Sequence, residues 1–161
     1  MIQTISPCLW FDTQAEDAAK LYTSVFPKSR IVRISHYTDV GQETHGQKPG
    51  TVMTVAFELQ GQPFTALNGG PQFKFSEAIS FEVRCETQDE IDTYWTKLSA
   101  DPNGGQCGWL KDKFGLSWQI VPAILPDLMA DKDPKAAGRV MGALLKMKKL
   151  DIKALKDAQR G

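Results

Sequence analysis

The side chains able to do chemistry in this chain fall on a few short runs. Two of them, Ile5-Ser6-Pro7-Cys8-Leu9-Trp10-Phe11 and Ile79-Ser80-Phe81-Glu82-Val83-Arg84-Cys85, read as strands with polar groups at alternate positions. Alternate residues of a strand share a face. Ser6, Cys8 and Trp10 therefore point one way and Pro7, Leu9 and Phe11 the other; Ser80, Glu82 and Arg84 stand opposite Phe81, Val83 and Cys85. Two later runs, residues 64–68 and 116–121, are expected to add Phe64, Ala66 and Asn68, and Ser117, Gln119 and Val121, to the same polar surface. Hydroxyls, two side-chain amides and one carboxylate supply donors and acceptors, and Trp10 and Trp109 supply flat apolar rings. That set suits the orientation of a small molecule better than nucleophilic attack.

The titratable groups add two weak catalytic candidates. Glu82 is a general base if it is desolvated, or a partner for Arg84 if it is not. His36, in Ile34-Ser35-His36-Tyr37, stands on a strand near the rim and is read as a ligand, an acid-base group or a structural residue. His45 lies in a glycine-bearing polar stretch, residues 40–50, and is expected to be solvated. Cys107 precedes Gly108-Trp109, but no histidine follows it in the chain, which favours an inert thiol. Trp118 is assigned by parity to the helix side of its strand, and Trp95 to a helix core.

These runs need elements to position them, and the chain repeats itself in a way that supplies them. Ile5 to Glu16 laid over Ile79 to Glu90 is identical at Ile, Ser, Thr, Gln and Glu without a gap. Each copy is a strand followed by Thr-x-x-Glu, the capping box that opens a helix. Helices are expected over residues 14–26, ended by Pro27, and over residues 88–100. Strands follow at residues 30–38, 51–60 and 64–68 in the first copy, with a turn at Gly61-Gln62. The second copy is tighter, with strands near 106–110 and at 116–121. Asn68 is placed opposite Gln119, the loop lengths leaving that register open by a residue or two. The expectation is an α+β protein of two β-α-β-β-β modules, about 1–72 and 73–122, forming one domain with a helical tail, 123–161. In the tail, Asp133-Pro134 starts one helix and Asp151 another. Its lysines, Lys146, Lys148, Lys149, Lys153 and Lys156, form either a solvated face or a surface for a partner.

Composition narrows the classes. With 161 residues, 42% hydrophobic and 24% charged, and 19 basic against 19 acidic side chains, the chain reads as an ordinary soluble globular protein. No basic stripe points to nucleic acid, and no long apolar segment points to a membrane or a secretory signal. The expected location is the cytoplasm. Three cysteines, widely spaced and without a Cys-x-x-Cys pair, argue for reduced thiols.

Several motifs together resemble a known family. They are Leu9-Trp10-Phe11-Asp12 with Ala15, Glu16, Ala18 and Tyr22 behind it, Leu67-Asn68-Gly69-Gly70-Pro71, Ser80-Phe81, and above all the run from Cys107 through Trp109, Asp112, Gly115 and Gln119 to Pro122. The chain is similar over nearly its whole length to the PhnB-like branch, often labelled demethylubiquinone methyltransferase-like, of the vicinal oxygen chelate superfamily. The resemblance implies the glyoxalase-like fold, paired modules forming a cupped mixed sheet, and a homodimer, with or without exchange of modules between subunits. It also implies, for the superfamily's enzymes, a divalent metal held in the cup by His, Gln or Glu ligands. The corresponding positions here are Thr4 or Ser6, Ala78 or Ser80, and Gln119, which stands where a Gly-x-x-x-Glu segment supplies a carboxylate. None is a histidine, and a neutral amide is a weak metal ligand.

Two main readings result. The first is a small-molecule-binding protein without a tightly bound metal or other cofactor, its ligand oriented by Ser6, Trp10, Asn68, Ser80, Glu82, Trp109 and Gln119. The second is a metal-dependent lyase, isomerase or dioxygenase-like enzyme in which Gln119 and Glu82 help hold a divalent cation and residues 40–50 close over substrate. A third is a dimeric interaction protein whose tail docks a partner. Methyl transfer is disfavoured, because no glycine-rich turn follows the first strand, and Gly69-Gly70 runs into Pro71, which has no N–H to offer.

Overall fold

A computed structural model describes residues 5–161. The chain divides into two compact units, one ending at Phe75 and the other spanning Ser76–Gly161.

In the first unit, β1 (Cys8–Phe11) buries Leu9 and Phe11 and turns Cys8 and Trp10 outward, as the period-two pattern predicts. Helix α1 (Ala15–Val25) follows, burying Ala15, Ala18, Ala19, Tyr22 and Val25. Its alanines let the helix lie close against β3 (Val52–Leu59) and β4 (Gln62–Asn68). Between α1 and β3 come β2 (Arg30–His36) and a one-turn helix, α2 (Gln42–His45), inside the glycine-bearing polar stretch 40–50. The sheet order is β1-β4-β3-β2, with β1 parallel to β4 and the remaining pairs antiparallel. The β3–β4 hairpin turns on Gln60 and Gly61, both with positive φ (50° and 84°), the backbone that two-residue hairpins with the correct twist require.

One face assignment is corrected. In β4 the buried residues are Phe64, Ala66 and Asn68, and the outward ones are Thr65 and Leu67. Register fixes this, because β1 pairs Leu9 with Ala66 and Phe11 with Asn68, so all four lie on the side that α1 covers.

In the second unit, β5 (Ser80–Cys85), α3 (Gln88–Leu98), β6 (Trp109–Lys111) and β7 (Ser117–Pro122) give a sheet of order β5-β7-β6. Thr87 and Glu90 form the expected capping box at the start of α3. The first unit is a β-α-β-β-β module; the second has three strands. Where a fourth would lie, residues 101–108 carry Pro102, Gly104, Gly105 and Gly108, and their hydrogen bonds go elsewhere: the N–H groups of Cys107 and Gly108 donate to the carbonyls of Met147 and Lys148 in the tail.

The tail is part of this unit. Its helices α4 (Leu125–Met129), α5 (Pro134–Leu144) and α6 (Ile152–Arg160) share a core of Val121, Leu128, Val140, Leu150 and Leu155. Each such side chain, fully buried, is worth about 1.5–3 kcal/mol. Asp133 and Asp151 cap α5 and α6, and Gln88 on α3 bonds both the carbonyl of Leu150 and the N–H of Ile152. Several tail lysines are engaged: Lys149 pairs with Asp92, Lys153 with Asp157, and Lys148 donates to the carbonyl of Asn103.

Candidate functional site

The open face of the second sheet is built by register. Glu82, Gln119 and Trp109 face one another across β5, β7 and β6, and Ser80, Ser117 and Lys111 form the neighbouring row. Phe81, Val83, Cys85, Trp118, Ile120 and Leu110 occupy the opposite face, so the expected alternation of β5 and β7 holds, except that Val121, expected on the polar surface, is buried in the core of the tail helices. The Gln119 amide nitrogen donates to Ser80 Oγ at 2.9 Å, joining two of the expected site residues. Glu82 is 41% exposed and its carboxylate lies 2.5 Å from Arg84 Nε, so it is an ion-paired surface group rather than a desolvated base. Trp109 is half-buried.

Beside this face opens a cavity of about 410 Å³ whose walls include Glu77, Asp101, Gly105, Trp109, Lys111 and Ser117. Glu77 and Lys111 form an ion pair at 2.6 Å, which holds the Glu77 carboxyl below its ordinary range through the hydrogen bond from Lys111. Sequence reasoning missed both residues, since neither lies in a recognisable catalytic spacing.

The first unit distributes its expected site residues differently. Trp10 lies on the outward face, but its indole N–H donates to the carbonyl of Gly70, and its ring packs edge-on to Phe73. A Cβ on Gly69 would fall 2.2 Å from that ring, which explains the first glycine after Asn68; the second, Gly70, has a φ of +98°. Asn68 does not join the open face. Its Oδ1 accepts the N–H of Ala15 at 2.8 Å and its amide nitrogen donates to the carbonyl of Val52, so it serves as a buried cap for α1. The Thr13 capping box is correspondingly unmade: no side chain of the helix's own N-cap residue accepts there, and Glu16 pairs with Lys20 instead. Ser6 is exposed ahead of β1, Ala78 is exposed ahead of β5, and Thr4 lies outside the described residues.

His36 is exposed at the end of the edge strand β2. His45, expected to be solvated, is half-buried: its ring packs against Tyr37, Nδ1 accepts the N–H of Gln47, and Nε2 faces the carbonyl of Val40 at 3.3 Å. Cys107 has a positive φ of 54° and spends its N–H on the tail. Burial pushes the Cys85 thiol up to about 11 and raises that of Cys8 as well. Among the described residues, no three or more His, Cys, Asp or Glu side chains cluster as a metal site, and no helix is long and apolar enough to cross a membrane.

A sequence model of the family described as 3-demethylubiquinone-9 3-methyltransferase matches residues 3–121. The chain belongs to this PhnB-like family. Its members include a Bacillus cereus protein of known structure described as a putative 3-demethylubiquinone-9 3-methyltransferase, PhnB protein. That protein is 39% identical to the chain, the match covers 75% of this chain and all of that one, and the TM-score is 0.64. A Staphylococcus aureus protein is 30% identical over 75% of this chain and 96% of its own, with a TM-score of 0.33. Protein PA1353 from Pseudomonas aeruginosa shares the fold at 15% identity, over 74% of this chain and 96% of its own, with a TM-score of 0.53. No curated protein matches. The fold is α+β and glyoxalase-like, as the PhnB-like resemblance implies. The family's long motif now has a structural reason: Asp112 is buried, and its carboxylate accepts N–H groups from Phe114, Leu116 and the Trp118 indole, fixing the turn between β6 and β7. An Asp-x-x-Gly turn ahead of a strand tryptophan was the available signal.

Proposed function

We propose that this PhnB-like protein binds a small molecule against the open face of its second sheet, oriented by Ser80, Glu82, Trp109 and Gln119, and does so without a tightly held metal. Asn68, in the first unit, is left out because both ends of its amide are already bonded. The observation that carries the reading is the Gln119–Ser80 hydrogen bond within the Glu82–Gln119–Trp109 face. A hydroxyl, a neutral amide and a carboxylate already tied to Arg84 do not fit tight retention of a divalent ion. They do suit a polar, planar molecule that exchanges hydrogen bonds with them. Methyl transfer finds no support in the chain's residues: β1 runs into α1 without a glycine turn, and the helix's opening N–H is taken by Asn68 rather than left for a cofactor. The working unit in this proposal is a homodimer.

Native mass spectrometry of the purified protein, before and after dialysis against Ni²⁺, Mn²⁺ or Zn²⁺, tests it. The expected result is a metal-free dimer, with or without a retained small molecule, and measurable divalent affinity only after Gln119→Glu. One stoichiometric metal ion per chain in the unsubstituted protein overturns the metal-free reading and directs assays to lyase, isomerase and dioxygenase chemistry.

A further inference from the structure

We infer that the cavity beside β6 takes a small zwitterion, a molecule with one carboxylate and one ammonium group on a compact apolar body. This rests on the small-molecule reading above and carries it to the β6 edge of that face, where the cavity shares Trp109 with the residues named there. The cavity, about 410 Å³, is of a size that encloses such a molecule.

Its decisive feature is a pair of opposite charges beside an unsatisfied hydroxyl. Lys111 and Glu77 are ion-paired at 2.6 Å while remaining 49% and 64% exposed, so the bond is weak and its partners are exchangeable. Lys111 faces Ser117 directly across the β6–β7 ladder. Ser117 is fully buried, and among the described residues its Oγ is the buried side-chain polar atom left without a hydrogen-bond partner. Buried polar groups are normally satisfied, and one that is not asks for a partner. A group that replaces Glu77 on Lys111 arrives at the residue paired with Ser117, and reaches its hydroxyl by displacing the atoms that cover it.

Charge balance then selects the class. A simple anion on Lys111 strands Glu77 beside a like charge, with Asp101 also on the wall. A simple cation on Glu77 strands Lys111. A zwitterion exchanges both partners at once: its carboxylate takes Lys111 and the Ser117 hydroxyl, and its ammonium takes Glu77 and Asp101. Trp109, Leu110 and Ala100 offer apolar wall to the body. Gly105 keeps the rim thin, because its φ is +78° and a Cβ there would sit 2.1 Å from the Trp109 carbonyl oxygen.

The test compares three matched probes on the full chain by calorimetry and amide NMR: L-leucine, 4-methylpentanoate, which lacks the ammonium, and 3-methylbutylamine, which lacks the carboxylate. L-Leucine is expected to bind, shifting Lys111, Ser117 and Trp109 amides, with each analogue at least about tenfold weaker. Lys111→Met and Ser117→Ala should each weaken L-leucine by about tenfold. Ser117→Ala removes an unbonded hydroxyl and should not lower the melting temperature, so its effect on binding is not a folding defect. Equal binding of all three probes, or L-leucine binding indifferent to Lys111→Met, overturns the inference. So does failure of L-leucine to bind. If the native mass spectrum then still shows a retained small molecule, only the zwitterion class falls; if the protein also retains none and binds none of the probes, the broader reading falls with it.

Discussion

Asn68 Oδ1, at the end of β4, lies 2.8 Å from the backbone nitrogen of Ala15 and accepts its N–H at the first turn of α1. The other end of the same amide donates to the carbonyl of Val52 on β3 at 3.0 Å, and the Tyr37 hydroxyl donates to the Asn68 backbone carbonyl at 2.6 Å. One buried side chain thus joins α1 to the β3–β4 hairpin.

Asn68→Ala should cost about 2–3 kcal/mol, because it removes a helix cap and leaves buried polar groups on two elements without partners. Asn68→Asp keeps the acceptor for Ala15 and should recover part of the loss. Urea midpoints of the three proteins decide it; an unchanged midpoint for the alanine variant would mean that the cap contributes nothing.

Asp112→Ala should be more damaging, at about 3 kcal/mol or more, since the carboxylate accepts from two backbone N–H groups and the Trp118 indole in a buried site. Asp112→Asn should be intermediate, with a shifted indole proton resonance for Trp118. Thermal unfolding and the indole region of the proton spectrum give both readouts.

The thiols should separate by burial. With Cys85 pushed up to about 11, its thiolate is scarce at pH 8, whereas Cys8 is exposed despite a raised value of its own. Maleimide at pH 8 should label Cys8 well before Cys85, with Cys85 reacting only on unfolding. Peptide mapping that finds equal rates would contradict the burial argument.

The Lys149–Asp92 pair gives a pH signature. The hydrogen bond from Lys149, helped by Gln88, holds the Asp92 carboxyl below its ordinary 3.8. A carboxyl depressed in the folded state adds stability above its unfolded value, and that contribution disappears as pH falls through the lower folded value. The pair is exposed, so its worth is about 0.5 kcal/mol or less. Asp92→Asn should therefore lower the urea midpoint slightly at pH 7 and not at all once pH is below the folded value. A difference that persists in acid would assign the effect to packing.

Truncation after Pro122 should unfold the second unit rather than detach an independent arm, because it removes Leu128, Val140, Leu150 and Leu155 from the core they share with Val121. The amide spectrum of the truncated chain should lose dispersion for β5, β6 and β7. A fully dispersed spectrum would restore the idea of the tail as a separable docking segment.

What the sequence determined on its own was local. Alternation in residues 80–85 and 117–122 set which side chains share a face, because a strand's period is fixed by its backbone. Thr87 and Glu90 marked the start of α3 because a capping box closes within four residues. The tertiary structure decided whatever depended on distant partners. Asn68 was expected on the polar surface, opposite Gln119, yet its register against Phe11 turned it inward, where a helix end from another part of the chain satisfies it. Thr13 carried the same local signal as Thr87 and lost to that distant cap. The strand expected near 106–110 begins only at Trp109, because the N–H groups of Cys107 and Gly108 are taken by the carbonyls of Met147 and Lys148 in the tail. Buried hydrogen bonds must be completed somewhere, and which distant element completes them is settled only when the chain has folded.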